Sequence, residues 1–385
     1  MSFKRIVSQV FAVLLLTSLS AAAIVTFGVT DRLSDDELVR GVRYLSYELE
    51  GPFTLDIIEI DRSRADVNLV AWRSGGLLQT SLQMADARDQ GRDVLAGINA
   101  DFYSFQSTLP IGSQVTDGQW VYGVSSRRSH VLIDQEGGVH FDPVRFSGSV
   151  TIDETTRLSL TGVNRHRATD QAMFYNGYYG LDTSRSDSSG VELIVEPIGS
   201  VNWLAGNQVS MRVANRHDGY AGSGHPFVIS VGPEHPDFEG YAALQAGTEI
   251  TVSLGINEGA YTGITQIIGG GGRILREGSD ATAENTETEG IGEAFLQNRH
   301  PRTFVAVSQD RGTIWLGTVD GRQAGSVGMN FPEMAAFLLE LGAWDAVNLD
   351  GGGSTTMVVG EEIVNSPSDA TGQRAVSNIL FVEQL

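Results

Sequence analysis

The chain has no cysteine and only one lysine, Lys4, in 385 residues. Without thiols it can build neither a disulfide framework nor a zinc-thiolate or thiol-redox site, and it has no lipobox. Its fold must hold by packing alone, and with the leader described below a periplasmic or secreted bacterial protein is expected. Histidine is scarce, seven in all, and His217, His225 and His235 are too irregularly spaced for a paired zinc motif. Basic charge is limited as well: 26 Lys and Arg face 47 Asp and Glu, for a formal net charge of −21. Such a surface disfavours nucleic acid and anionic membranes as partners. Long apolar runs are missing except at the start, where Lys4 and Arg5 precede a stretch from Val10 to Leu19 and then Ala21-Ala22-Ala23. Residues 1–27 read as a signal peptide or, if uncleaved, an N-terminal anchor, the one expected route to a membrane.

Glycine, by contrast, is plentiful and concentrated where chemistry is expected. In Ala346-Val347-Asn348-Leu349-Asp350-Gly351-Gly352-Gly353-Ser354-Thr355-Thr356 an apolar strand runs into a carboxylate, three glycines and three hydroxyls. Glycine lets a ligand approach the backbone closely. Upstream, Asn330-Phe331-Pro332-Glu333 has the form of a helix cap, and Met334, Phe337, Leu338 and Leu341 share one helical face up to Gly342. The order is helix, strand, glycine loop, with Asp350 presented where the strand stops. Thr303 to Ser308 and Thr313 to Val319 read as a hairpin turning at Gln309-Asp310-Arg311-Gly312. Antiparallel pairing sets the start of the first strand beside the end of the second, so Arg302 and Arg322 are expected to converge on one edge as guanidinium forks for an anion.

These residues carry a family resemblance. Arg299-His300-Pro301-Arg302-Thr303, Val319-Asp320-Gly321-Arg322, Asn348-Leu349-Asp350-Gly351-Gly352-Gly353-Ser354, Asn365-Ser366-Pro367 and Arg374-Ala375-Val376-Ser377-Asn378 resemble, in order, motifs of the phosphodiester glycosidase family. Gly97-Ile98-Asn99-Ala100-Asp101-Phe102-Tyr103 and Ile268-Gly269-Gly270-Gly271 are similar to two further family motifs, and the resemblance runs from about residue 65 to the end. It implies hydrolysis of a sugar-1-phosphodiester at the anomeric carbon, with an N-acetylglucosamine-like sugar and a surface glycopolymer or glycolipid as substrate. Asp350, Asp320 and Asp101 compete for the carboxylate role. Arg302, Arg322 and Arg374 are the implied phosphate clamps, and Asn99, Gly351, Gly352, Gly353, Ser354, Thr355 and Asn378 complete the implied binding set. Each has a plainer alternative: Asp320 could nucleate a turn, Asn99 could satisfy its own loop, Ser354 and Thr355 could cap an element, and Phe102 and Tyr103 could be core.

The expected fold is α+β, with mixed, β-rich sheets flanked by helices. Residues 28–64 are expected to lead in with a helix and a strand, the helix from a capping box at Ser34-Asp35-Asp36-Glu37 and apolar residues at Leu38, Val42, Leu45 and Leu49; residues 65–385 form the glycosidase-like domain. Gly278 to Gly292, polar and acidic, reads as a mobile loop near the site. No organic cofactor is expected; Ca2+ would suit the acidic loops, although none has EF-hand spacing. Two other classes fit parts of this pattern. A non-catalytic exopolysaccharide assembly or binding protein would use the same pocket without turnover. A sugar-kinase-like phosphate loop is disfavoured by export and by the missing lysine after the glycines.

Overall fold

The computed structural model describes residues 27–153, 155–179 and 188–385. The leader or anchor expected at residues 1–27 therefore lies, except for Phe27, outside the described residues. Among those described, no helix is long and apolar enough to cross a membrane.

The fold is α+β and largely antiparallel. One eight-stranded sheet runs in the order Val29–Val39, Val42–Leu49, Phe53–Asp61, Thr313–Val319, Arg302–Ser308, Ala343–Asn348, Arg273–Arg276 and Ser279–Asp280. Its strands alternate, so one face carries Ile58, Val305, Val307, Leu316 and Val347 and the other Ile57, Phe304, Ala306 and Ala346. The first face packs on two five-stranded sheets through Ile98, Leu380, Val131 and Ile268. The second is covered by the helix Phe331–Leu341 through Phe331, Met334 and Leu338. A separate eight-stranded sheet, built between Phe146 and Ile256, has its own core around Trp203, Met211, Val252 and Phe174.

The helix before Asp350 is started and stopped as its sequence implies. Asn330 accepts from Glu333 N while Glu333 Oε2 accepts from Asn330 N, a reciprocal capping box, and Gly342 ends the helix at φ 93°. The strand Ala343–Asn348 follows at once and delivers Asp350 to its exit.

Two expectations are overturned. The N-terminal helix does not exist: Val29–Val39 and Val42–Leu49 are strands joined at Gly41, φ 81°. Leu45, Tyr47 and Leu49 also fit a period of two, and that period lets the segment pair along its whole length with Phe53–Asp61. Ser34 bonds Asp36 rather than capping a helix. These strands belong to the same sheet as the hairpin and the strand leading to Asp350. Gly278 to Gly292 is likewise built rather than open. It holds a short strand and the helix Asn285–Thr288, and buried Asn285 exchanges hydrogen bonds with the Arg273 backbone at 2.8 and 2.7 Å. Buried Glu289 accepts from Ser129 N, Ser129 Oγ and Gly272 N. Polar composition suggested a loop because the partners of these two side chains lie far away in sequence.

Candidate active site

Asp350 emerges from its strand with its backbone tied on both sides. Its N–H donates to Ala100 O at 2.7 Å, and its carbonyl accepts from Asn99 Nδ2 at 2.6 Å. Asn99 also accepts from Thr303 Oγ1 and Thr356 N, so one buried amide holds the exits of two strands and the glycine loop in register. Asn378 plays the parallel part for Asp101, accepting from Asp101 N at 2.9 Å while donating to Gln114 Oε1. Both asparagines are fully buried among protein partners, so they position the carboxylates rather than reach for a ligand.

Asp350 and Asp101 form the electrostatic centre. Burial pushes Asp350 up to about 6, opposed by the Ser354 hydroxyl, the Gly351 N–H and the Arg374 charge. Burial pushes Asp101 up to about 8; Gly112 N–H and Arg128 oppose this, while the nearby charge of Asp350 adds to it. Asp101 is 2% exposed and accepts from Gly112 N at 2.8 Å. Behind it, His130 accepts from Ser113 N on Nε2 and donates from Nδ1 to Arg128 O, a tautomer set by its partners. Burial brings His130 down to about 4, so it stays neutral.

Two glycines in the loop are dictated by arginines. At Gly352, φ 63°, an added Cβ would lie 3.0 Å from Arg322 Nη2. At Gly353 it would lie 2.1 Å from Arg374 Nη2 and from Asp369 Oδ1. Gly351 N donates to Asp350 Oδ1 at 2.9 Å. Ser354 and Thr355 are buried; the Ser354 Oγ has no hydrogen-bond partner of good geometry, yet it lies near enough to Asp350 and Tyr103 to favour their charged forms.

The arginines divide. Arg302 pairs across the hairpin with Val319, as the register requires, but its side chain turns into the core. It is 1% exposed, donates to Met329 O, Phe295 O and Asn298 O, and lies over the rings of Phe295 and Phe331. Burial, with Arg322 nearby, lowers it to about 9. Its Nε and Nη2 are thus engaged on the strand face towards the covering helix, while Nη1 makes no hydrogen bond among the described residues and Arg322 lies near enough for the two charges to repel. Arg322 is exposed, adopts φ 61°, reaches over Gly352 and, among the described residues, hydrogen-bonds only with His300 Nδ1, at 3.5 Å. Arg374 grips Asp369 bidentately at 2.8 and 2.9 Å.

Asp320 is brought near but is also spoken for. Buried, it accepts from Asn365 Nδ2 and Ser366 N, each at 3.0 Å, and so anchors the 365–366 loop. Tyr103, which the sequence offers as core, and Arg128, which it does not single out, both act on the site. Tyr103 donates to Ala375 O and feels the charges of Asp350 and Arg374. Arg128 lies over the Phe102 ring at 5.3 Å and acts on Asp101. Among the described residues, no carboxylate lies within ion-pair distance of Arg128 or Arg322, whereas Arg299 pairs with Glu333 and Arg374 with Asp369. The available signal for Arg128 was the doublet Arg127-Arg128 in a chain so poor in basic residues. No group of three or more His, Asp or Glu side chains arranged to hold a metal occurs among the described residues.

The raised carboxyls make stability depend on pH. Asp101 and Asp350 keep their protons in the folded state above the ordinary value of 3.8, so the folded state binds more protons than the unfolded one. Their contribution is fully present below that value and is lost as pH rises through about 6 for Asp350 and about 8 for Asp101. Buried Asp56, at about 6, adds in the same sense. The melting temperature is expected to fall between about pH 5 and about pH 8, and to fall less steeply in Asp101→Asn, as thermal denaturation in a buffer series would show.

Two carboxyls of unequal proton affinity, with Arg128 and Arg374 acting on them, thus lie at the exits of strands in an α+β fold. Residues 204–383 match the sequence profile of the phosphodiester glycosidase family. The bovine N-acetylglucosamine-1-phosphodiester alpha-N-acetylglucosaminidase is 38% identical over 109 residues, 28% of this chain and 20% of that enzyme. Over residues 204–383, just under half of its length, the chain is similar to the phosphodiester glycosidase family. Its match spans about a fifth of the length of the curated relatives. A solved protein from Burkholderia pseudomallei, described as exported, superposes with a TM-score of 0.64 at 25% identity over 87% of this chain and 74% of its own. A hypothetical protein from Synechocystis shares the fold, with a TM-score of 0.67 at 22% identity over 90% of this chain and 62% of its own.

Proposed function

We propose that this chain is an exported hydrolase that cleaves the glycosidic bond of a sugar-1-phosphodiester, an N-acetylglucosamine-like sugar joined through phosphate to a surface glycopolymer or glycolipid. The observation that carries the reading is the Asp101–Asp350 pair, one carboxyl held at about 8 and the other at about 6. Near neutral pH the first is mostly protonated and the second mostly ionised, the division that hydrolysis at an anomeric carbon uses. Asp350, the less enclosed of the two, is the carboxylate for the developing oxocarbenium charge, and Asp101 is the proton-bearing partner. The bond between C1 and the phosphate oxygen breaks, water supplies the new hydroxyl at C1, and a phosphomonoester leaves. Arg322 and Arg128 hold the phosphate oxygens, because their charge is not spent on a carboxylate. Arg374, paired with Asp369, buttresses Gly353 and favours the ionised form of Asp350.

The test is release of reducing sugar from a panel of sugar-1-phosphodiesters, N-acetylglucosamine-1-phosphodiesters included, across pH. The expected kcat/KM profile is bell-shaped, its limbs falling near the two apparent values of the pair. Binding without turnover across the panel would favour the non-catalytic exopolysaccharide reading instead.

A further inference from the structure

A cavity of about 500 Å³ opens beside Trp344 and Asp345. These residues lie at the start of the strand that ends at Asn348, so the cavity is at the opposite end from Asp350, roughly 17 Å along the chain direction. We infer that this cavity is a binding site for a saccharide ring, separate from the carboxyl pair and independent of the proposed hydrolysis.

The first observation is a guanidinium placed at a conformational cost. Arg311 occupies the left-handed region, φ 60°, in the hairpin turn, although Gly312 stands next to it. For a residue with a Cβ this costs about 1–2 kcal/mol. The turn sends Arg311 to Asp345 at 2.5 Å, and its Nη1 is left buried with no acceptor among the described residues. Asp345 also receives Arg273 Nη2 at 2.6 Å, so one carboxylate serves two guanidinium groups. With 40% of its side chain exposed, Arg311 lines the cavity and can donate there to an oxygen from outside the chain.

The second observation is the balance of the lining. Arg273, Arg276 and Arg311 are matched by Asp142, Glu277 and Asp345, which leaves the wall neutral by count in a chain of net charge −21. A neutral wall that mixes strong donors with strong acceptors does not select a highly charged ligand. It suits hydroxyls, which donate and accept at once. Tyr261 donates to Asp142 Oδ2 at 3.2 Å and packs on His140 at 5.8 Å, and with Trp344 it supplies aromatic surface for the C–H face of a ring. The volume lies within the range of small-ligand pockets.

The experiment follows the Trp344 indole N–H signal, assigned with Trp344→Phe, by NMR of the full chain during titration with glucose, N-acetylglucosamine, cellobiose and chitobiose. At least one saccharide is expected to shift it with saturation below about 10 mM, tenfold above a weak millimolar site. Arg311→Gly, a residue at ease at that φ, should keep the fold, weaken the shift at least about tenfold and leave phosphodiester hydrolysis unchanged. Calorimetry of Trp344→Ala should show the same loss of saccharide binding. No shift with any of the four sugars, an identical titration in Arg311→Gly, or a response to inorganic phosphate alone would overturn the assignment. Failure here leaves the hydrolase reading standing, and absence of hydrolysis does not alter the Trp344 titration.

Discussion

Asp350→Asn is expected to lower kcat on a cleavable sugar-1-phosphodiester by about a thousandfold or more, with a much smaller change in KM. The carboxylate is invoked only where positive charge develops, so its loss should fall on the transition state rather than on binding. The same substitution is expected to leave the melting temperature near pH 8 unchanged or raised, because burial makes the ionised form of Asp350 costly in the folded state. A variant that keeps more than about a tenth of wild-type kcat would remove Asp350 from the chemistry. Steady-state kinetics alongside thermal denaturation of the same preparation reads both effects.

Arg302→Ala is expected to have the opposite profile: a loss of stability of about 3–5 kcal/mol, or failure to accumulate as folded protein. Arg302 satisfies the carbonyls of Met329, Phe295 and Asn298 and fills the space between two phenyl rings. Truncation strands three acceptors and opens a cavity in one step. Arg302→Lys keeps a charge but cannot span the three carbonyls, so it should recover only part of the loss. Urea unfolding followed by circular dichroism measures it. An Arg302→Ala variant with wild-type stability but greatly weakened substrate binding would restore the clamp role that the motif suggested.

These two outcomes separate residues that lie close together in one motif pattern. Arg302 and Arg322 sit at adjoining strand ends, yet one faces the helix Phe331–Leu341 and the other arches over Gly352. Which face a strand residue presents depends on what covers each face, and the sequence of the hairpin does not contain that. Asp101 and Asp350 show the converse. Each lies at the end of a strand, so that Asp350 could be read from the strand and glycine loop, and Asp101 through the resemblance its motif carries. That their carboxyls hold unequal values, one through nearly complete burial and the charge of the other, needed the surrounding packing. The N-terminal strands are a third case. Leu38, Val42, Leu45 and Leu49 satisfy helical spacing, while Leu45, Tyr47 and Leu49 satisfy strand spacing, and the choice fell to the partner strand Phe53–Asp61.

What the sequence by itself determined is local: the capped helix before Asp350, the hairpin, the glycine loop, and the reliance on arginine in a chain with one lysine. Those features follow from short-range sterics and hydrogen bonding between near neighbours. The tertiary structure alone decided which guanidinium stays free, which carboxyl keeps its proton, and that Arg311 and Trp344 meet at one cavity. Each of these depends on desolvation and on contacts between distant segments, and neither exists until the sheets have packed.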